Sequence, residues 1–309
     1  MAANVKKLLP RLGRPGPYDV STGDLGVTGL PGTLFTPVGV KDAPAVAFGH
    51  DWRTGADAYR STYRHLASWG IAVAAPDTET GFTPDHRGLA ADLESCLQIL
   101  AGVRLGNGAT TVDPDRLFLA GHGMGAGAAV LAAAGRPVAP RQTTKRRSAR
   151  DRRRTADPVT PTLAGVIAVF PSDTTPSCCD VARTVDAPAL VFAPGKAGPL
   201  DAGSADRIAA SWRGPVVYRS VTKASAAGFS ENLGHKFALG AGLEQGAQAL
   251  VRALTVGFVL GTDDDSYAAF RDPDAAVKGT TTRTRGELFA ALPEFADPVE
   301  KLQDALLHR

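Results

Sequence analysis

Only three cysteines, Cys96, Cys178 and Cys179, occur in 309 residues, and two of them are adjacent. They cannot supply the disulfide framework of a small secreted domain, so a reducing, cytoplasmic setting is the simplest expectation. No apolar run approaches the roughly 18 consecutive residues that a membrane span needs. In residues 1–14 the lysines are followed by Pro10, Arg11 and Arg14 instead of an apolar stretch, so no secretory leader is expected. The glycine-rich stretch 121–127 has neither the Gly-Lys-Ser/Thr of a phosphate-binding loop nor the spacing of a dinucleotide fingerprint. Cys178-Cys179-Asp180 has no second Cys/His cluster to complete a tetrahedral site, so neither a metal nor another cofactor is expected.

What is present fits a folded, soluble chain: 44% apolar and 21% charged residues, at a length that buries a large core. The net charge of +3 hides an uneven distribution. Residues 136–154 hold nine basic side chains (Arg136, Arg141, Lys145, Arg146, Arg147, Arg150, Arg152, Arg153, Arg154) and one acid, Asp151. The remaining 25 basic and 30 acidic residues leave the rest of the chain at −5. Such a segment is a solvated insertion or an electrostatic contact with an acidic protein face or an anionic membrane, the latter at the inner membrane surface. No aromatic residue interrupts it, which weighs against stacking on single-stranded nucleic acid.

Hydrophobic patterning organises the chain as alternating strands and helices. Residues 1–17, with Pro10, Pro15 and Pro17, read as a loosely packed lead-in, and 18–21 with 32–37 as an antiparallel pair. Short apolar runs at 44–49, 71–75, 117–120, 163–170, 187–194 and 216–221 read as buried strands. Helical spacing spans 56–69, 87–103, 124–134, 201–212 and 243–260, followed by a C-terminal helical pair. Alternation of this kind predicts an α/β fold with a mostly parallel central sheet and helices on both faces. No repeat or composition break divides it, so residues 18–309 form one domain with a basic insertion at about 136–157.

The chemistry centres on Arg116-Leu117-Phe118-Leu119-Ala120-Gly121-His122-Gly123-Met124-Gly125, a strand turning through glycines into a small-residue helix. That is the frame of a nucleophile elbow, G-x-S-x-G, with glycine at the central position 123. Together with Val112-Asp113-Pro114-Asp115 before it, the stretch 65–78 upstream and 256–263 downstream, it resembles the α/β-hydrolase superfamily. The dienelactone-hydrolase-like branch, with bacterial cutinases, polyester hydrolases and chlorophyllase-like enzymes, is the nearest resemblance, and it covers about residues 30–270. The resemblance implies a catalytic acid near Lys196 or Ala197 and a histidine near Ala226. No such residue stands there; the next acid is Asp201 and the next histidine His235. It also implies an oxyanion hole from the backbone N–H groups of Met124 and His50.

The expectation is therefore a hydrolase homologue with no catalytic residue at the degenerate positions Gly123, Ala197 and Ala226. It would act by binding a small apolar ligand or a partner protein. An esterase using displaced residues, such as Ser225 with Asp201 and His235, is the alternative, and an adaptor working through the basic segment is a third. His50, Asp51, Trp52, His122 and Met124 are the pocket and oxyanion-hole candidates. Among them His122 reads as a packing histidine, and His50 either as a ligand contact or as a structural residue.

Overall fold

A computed structural model describes residues 5–136, 162–196, 203–232, 234, 242 and 244–292. In chain order its strands are β1 (Val20–Asp24), β2 (Gly32–Pro37), β3 (Ala43–Gly49), β4 (Ala72–Pro76), β5 (Val112–His122), β6 (Leu163–Val169), β7 (Ala189–Pro194), β8 (Val216–Val221) and β9 (Thr280–Thr281). The helices are α1 (Val5–Leu12), α2 (Arg60–Ser68), α3 (His86–Gly102), α4 (Met124–Ala133), α5 (Cys178–Val181), α6 (Ser204–Ser211), α7 (Gln245–Leu260) and α8 (Arg285–Ala290).

One sheet carries all nine of these strands in the order β1-β2-β4-β3-β5-β6-β7-β8-β9. The block from β4 to β8 is parallel, while β1, β2 and β9 pair antiparallel at the two ends. The parallel strands read as unbroken apolar runs because both faces are covered. Their side chains still alternate. Ala45, Ala47, Leu117, Leu119, Val166 and Ala168 face a core shared with α3, α4 and α6. Val46, Phe48, Phe118, Ala120, Ile167 and Val169 face a second core shared with α1, α2 and α7. This is an α/β fold, a mostly parallel sheet between two helical layers. No helix among the described residues is long and apolar enough to cross a membrane.

Several local expectations differ from the structure. The stretch read as a loose lead-in carries α1, with Leu12 fully buried. The reason is a set of tethers from α2 and the residue after it: His65 Nε2 donates to the Leu12 carbonyl (2.8 Å), Trp69 Nε1 to the Arg14 carbonyl (2.9 Å), and the Ser68 hydroxyl accepts from Gly16 N–H (2.8 Å). The helix expected from residue 56 begins as a tighter 3₁₀ turn (Ala56–Tyr59) before α2. After α7 the described residues carry a 3₁₀ segment (Asp265–Phe270), then β9 and α8, one helix of the expected C-terminal pair; residues 293–309 lie outside the described residues. Of the nine basic residues at 136–154 only Arg136 is described; its guanidinium pairs with Glu94 at 2.8 Å. Arg141, Lys145, Arg146, Arg147, Arg150, Arg152, Arg153 and Arg154 lie outside the described residues.

Candidate functional site

The elbow is built by close approach of backbone. A Cβ at Gly125 would come 2.5 Å from the His50 carbonyl oxygen, and one at Gly121 would come 2.6 Å from the Ala126 nitrogen. Glycine at both positions therefore lets the first turn of α4 rest directly on the ends of β3 and β5. Between them Gly123 takes φ 53° and ψ −117°, a conformation strained for any residue with a side chain and suited to an elbow. The turn is pinned by Gly123 N–H to the Val169 carbonyl (3.0 Å) and by Ser172 N–H to the Gly123 carbonyl (3.0 Å).

The space that a side chain at position 123 would take is filled by the Asp51 carboxylate. A Cβ on Gly123 would fall inside that group, 2.8 Å from Oδ2 and nearer still to Oδ1. Asp51 Oδ1 accepts from the Met124 N–H (3.0 Å) and from the Trp52 N–H (2.8 Å). These are charge-assisted bonds at the N-terminus of α4, where unpaired N–H groups and the helix dipole both favour an anion. The expected oxyanion hole paired Met124 with His50; at this oxygen the second donor is instead Trp52. The His50 side chain has turned inward and is fully buried, its Nδ1 2.9 Å from the Asp51 carbonyl and its Nε2 2.6 Å from the Thr78 carbonyl. Both ring nitrogens face backbone carbonyls, of which the neutral ring donates to one, and the contact makes His50 a brace between the ends of β3 and β4.

Behind Asp51 runs a closed chain of hydrogen bonds. The Asp51 N–H donates to the Tyr59 hydroxyl (3.1 Å), which lies 2.8 Å from His122 Nδ1. His122 Nε2 is 2.7 Å from the Ala226 carbonyl. A carbonyl only accepts, so Nε2 carries the hydrogen and Nδ1 takes the Tyr59 proton. Asp51 Oδ2 is 3.9 Å from Nδ1. His122 is fully buried, with the rings of Tyr59, Phe170 and Phe229 at 5.4 to 6.0 Å between centroids. Burial, reinforced by the nearby Asp51 charge, pushes the Tyr59 hydroxyl well above its ordinary pKa, so it remains a donor at any working pH.

The positions where the resemblance places an acid and a base are joined by other groups. Lys196 at the end of β7 pairs with Glu244 at 2.8 Å, and Glu244 also accepts from the Ser225 N–H (2.8 Å). Ala226 contributes its carbonyl to His122. The Ser225 hydroxyl oxygen is buried and makes no hydrogen bond within the described structure. Ala197, Asp201 and His235 lie outside the described residues. At the outer edge of the site Trp52 and Phe82 are 38% and 70% exposed, and the Arg53 guanidinium sits 4.0 Å above the Phe82 ring. Trp52 Nε1 donates to the Phe82 carbonyl (3.1 Å) and holds the two rings together.

Asp51 stands among the pocket candidates of the sequence without a role, Tyr59 falls within the helical spacing of 56–69, and nothing local marks Glu244. The one available signal was the pairing of a missing side chain at 123 with a carboxylate directly after β3. It becomes legible only once β3 is known to lie beside β5.

No family model matches the chain. It is similar to the bis(hydroxyethyl) terephthalate hydrolase of Streptomyces coelicolor, 36% identical over 133 residues, which make up 40% of this chain and 40% of that protein. The match thus spans about two fifths of the relative's length.

Proposed function

We propose that this protein is a hydrolase homologue that works by binding, without serine-type acyl transfer. The observation that carries this reading is the Asp51 carboxylate, which stands in the nucleophile's space and accepts the Met124 N–H that would otherwise stabilise an oxyanion. A substrate carbonyl placed there meets a negative charge instead of a free donor, and the developing tetrahedral oxyanion is repelled instead of stabilised. His122 supports the same reading, because its Nε2–H is bound to Ala226 and its Nδ1 to Tyr59, leaving no nitrogen directed at position 123. The exposed rings of Trp52 and Phe82 with Arg53 suit a small apolar ligand or the apolar patch of a partner protein.

Purified protein assayed on short-chain p-nitrophenyl esters is expected to show no turnover above buffer, and a fluorophosphonate probe is expected to label no serine. Stoichiometric labelling of any serine overturns the proposal. Labelling at Ser225 would promote the second reading, an ester hydrolase with displaced residues. That reading is favoured by the buried, unbonded Ser225 hydroxyl beside Glu244 and by the hydrolase activity named for the Streptomyces relative.

A further inference from the structure

The elbow makes no use of two thiols that pack against the next turn of its helix. A Cβ at Gly127 in α4 would come 3.2 Å from Cys178 Sγ and 2.7 Å from the Ser172 carbonyl oxygen, so this sulfur is seated where α4 has no side chain. Cys178 and Cys179 are both buried, at 0% and 3% exposure. Cys178 Sγ is 3.5 Å from both the Ser172 carbonyl and Asp173 Oδ1, and Cys179 Sγ is 3.9 Å from the Ser204 carbonyl. The sequence placed Asp180 beside the pair. In the fold Asp180 turns to Arg183, and Asp173 comes in from the preceding loop instead. Both sulfurs and an Asp173 carboxylate oxygen lie within 4.8 Å of one another.

We propose that Asp173, Cys178 and Cys179 form a binding site for a thiophilic divalent cation of the zinc and cadmium class. Two sulfurs and one carboxylate oxygen are the donor set that a borderline-soft cation takes, with the Ser172 carbonyl or solvent available as a fourth ligand. With sulfur bonds of about 2.3 Å, tetrahedral ligand atoms lie nearly 4 Å apart, so side-chain rotation of about 1 Å closes the site. The charges also close. Two thiolates and one carboxylate carry −3, the ion +2, and the Arg207 guanidinium, 3.5 Å from Asp173 Oδ2, supplies +1. Binding replaces two S–H bonds by two metal–sulfur bonds and releases two protons to solvent.

Partial burial works to raise Asp173, but the Ser177 hydroxyl, the Thr174 N–H, the Cys178 thiol and Arg207 outweigh it and keep the carboxyl below its ordinary value. The Asp173 side chain is 32% exposed and gives the ion its route in.

The test is titration of the reduced, full-length protein with Cd²⁺ alone, following the ultraviolet sulfur-to-cadmium charge-transfer band. The expected result is saturation at one ion per chain with release of two protons. Cys178→Ser or Cys179→Ser is expected to weaken binding at least tenfold, and the double variant to abolish the band. Asp173→Asn should weaken binding while keeping the band, and Cys96→Ser should change nothing. In case a cysteine variant does not fold, Cd²⁺ protection of the wild-type protein from iodoacetamide is mapped by mass spectrometry. Protection of Cys178 and Cys179 together supports the site. Absence of a band in the wild type, a band that survives the double variant, or alkylation of Cys178 and Cys179 undiminished by Cd²⁺ overturns it.

Discussion

A carboxylate placed on two backbone N–H groups is a stronger occupant of an anion site than a neutral hydroxyl. Asp51 therefore both fills the elbow and helps to hold it, joining β3, α4 and the Tyr59–His122 chain through one side chain. Gly123→Ser brings its Cβ into the Asp51 carboxylate and takes on an elbow conformation that is strained for serine. Overpacking of this kind costs about 1–3 kcal/mol, and the variant is expected to unfold at a lower temperature without gaining esterase turnover. Adding Asp51→Gly should recover part of the loss, so that a double-mutant cycle gives a favourable coupling of about 1 kcal/mol or more. Additive losses would show that Asp51 does not hold this space in solution. The sequence exposed the glycine at 123 because the surrounding frame is local and regular. It concealed the compensating carboxylate because Asp51 and Gly123 meet only through sheet order.

The strands of the parallel block were the most legible elements, since burial on both faces leaves an apolar run that no exposed segment would carry. Short elements such as α5 and β9 were illegible because four residues or two establish no period. The N-terminal helix was hidden by its prolines, and its docking depends on a histidine. His65 is pushed down to about 4 by burial, with the Arg252 charge adding to the effect, while its bond to the Leu12 carbonyl pulls the other way. An unfolded histidine titrates near 6.5. As pH falls below that value the unfolded chain takes up a proton that the folded chain refuses, so stability drops between about pH 6.5 and 4 and then levels. The full effect is on the order of 3 kcal/mol. Urea unfolding at a series of pH values should show this slope in the wild type and a flatter one in His65→Gln, whose amide can still donate to Leu12. Equal slopes would mean that His65 is protonated in the folded state.

At the scale of the whole molecule, charge separates into an acidic body and a basic segment. Arg136 is already neutralised by Glu94, which leaves eight positive charges at 141–154 to act at a distance. Near an anionic lipid surface each basic residue contributes about 1 kcal/mol, and the attraction is screened as the Debye length falls from about 10 Å at 0.1 M salt to 3 Å at 1 M. We propose that this segment docks to an anionic surface, either a membrane or an acidic protein. Co-sedimentation with phosphatidylserine vesicles is expected at low salt, to fade at high salt, and to disappear on deletion of 141–154 without a change in unfolding midpoint. Binding that persists after the deletion would remove the segment from that role. The ends of the sheet carry a different consequence. β9 is two residues long and shields only Ser220 and Val221 of β8, while β1 at the opposite margin is polar and outward-facing, with Asp24 as its last residue. Among the described residues, the unpaired ladder is thus limited to the four residues Val216–Arg219 at one margin and to a polar strand at the other. Margins this short or polar offer another copy of the chain a poor template on which to extend the sheet, so the protein should resist cross-β aggregation even when held concentrated for long periods.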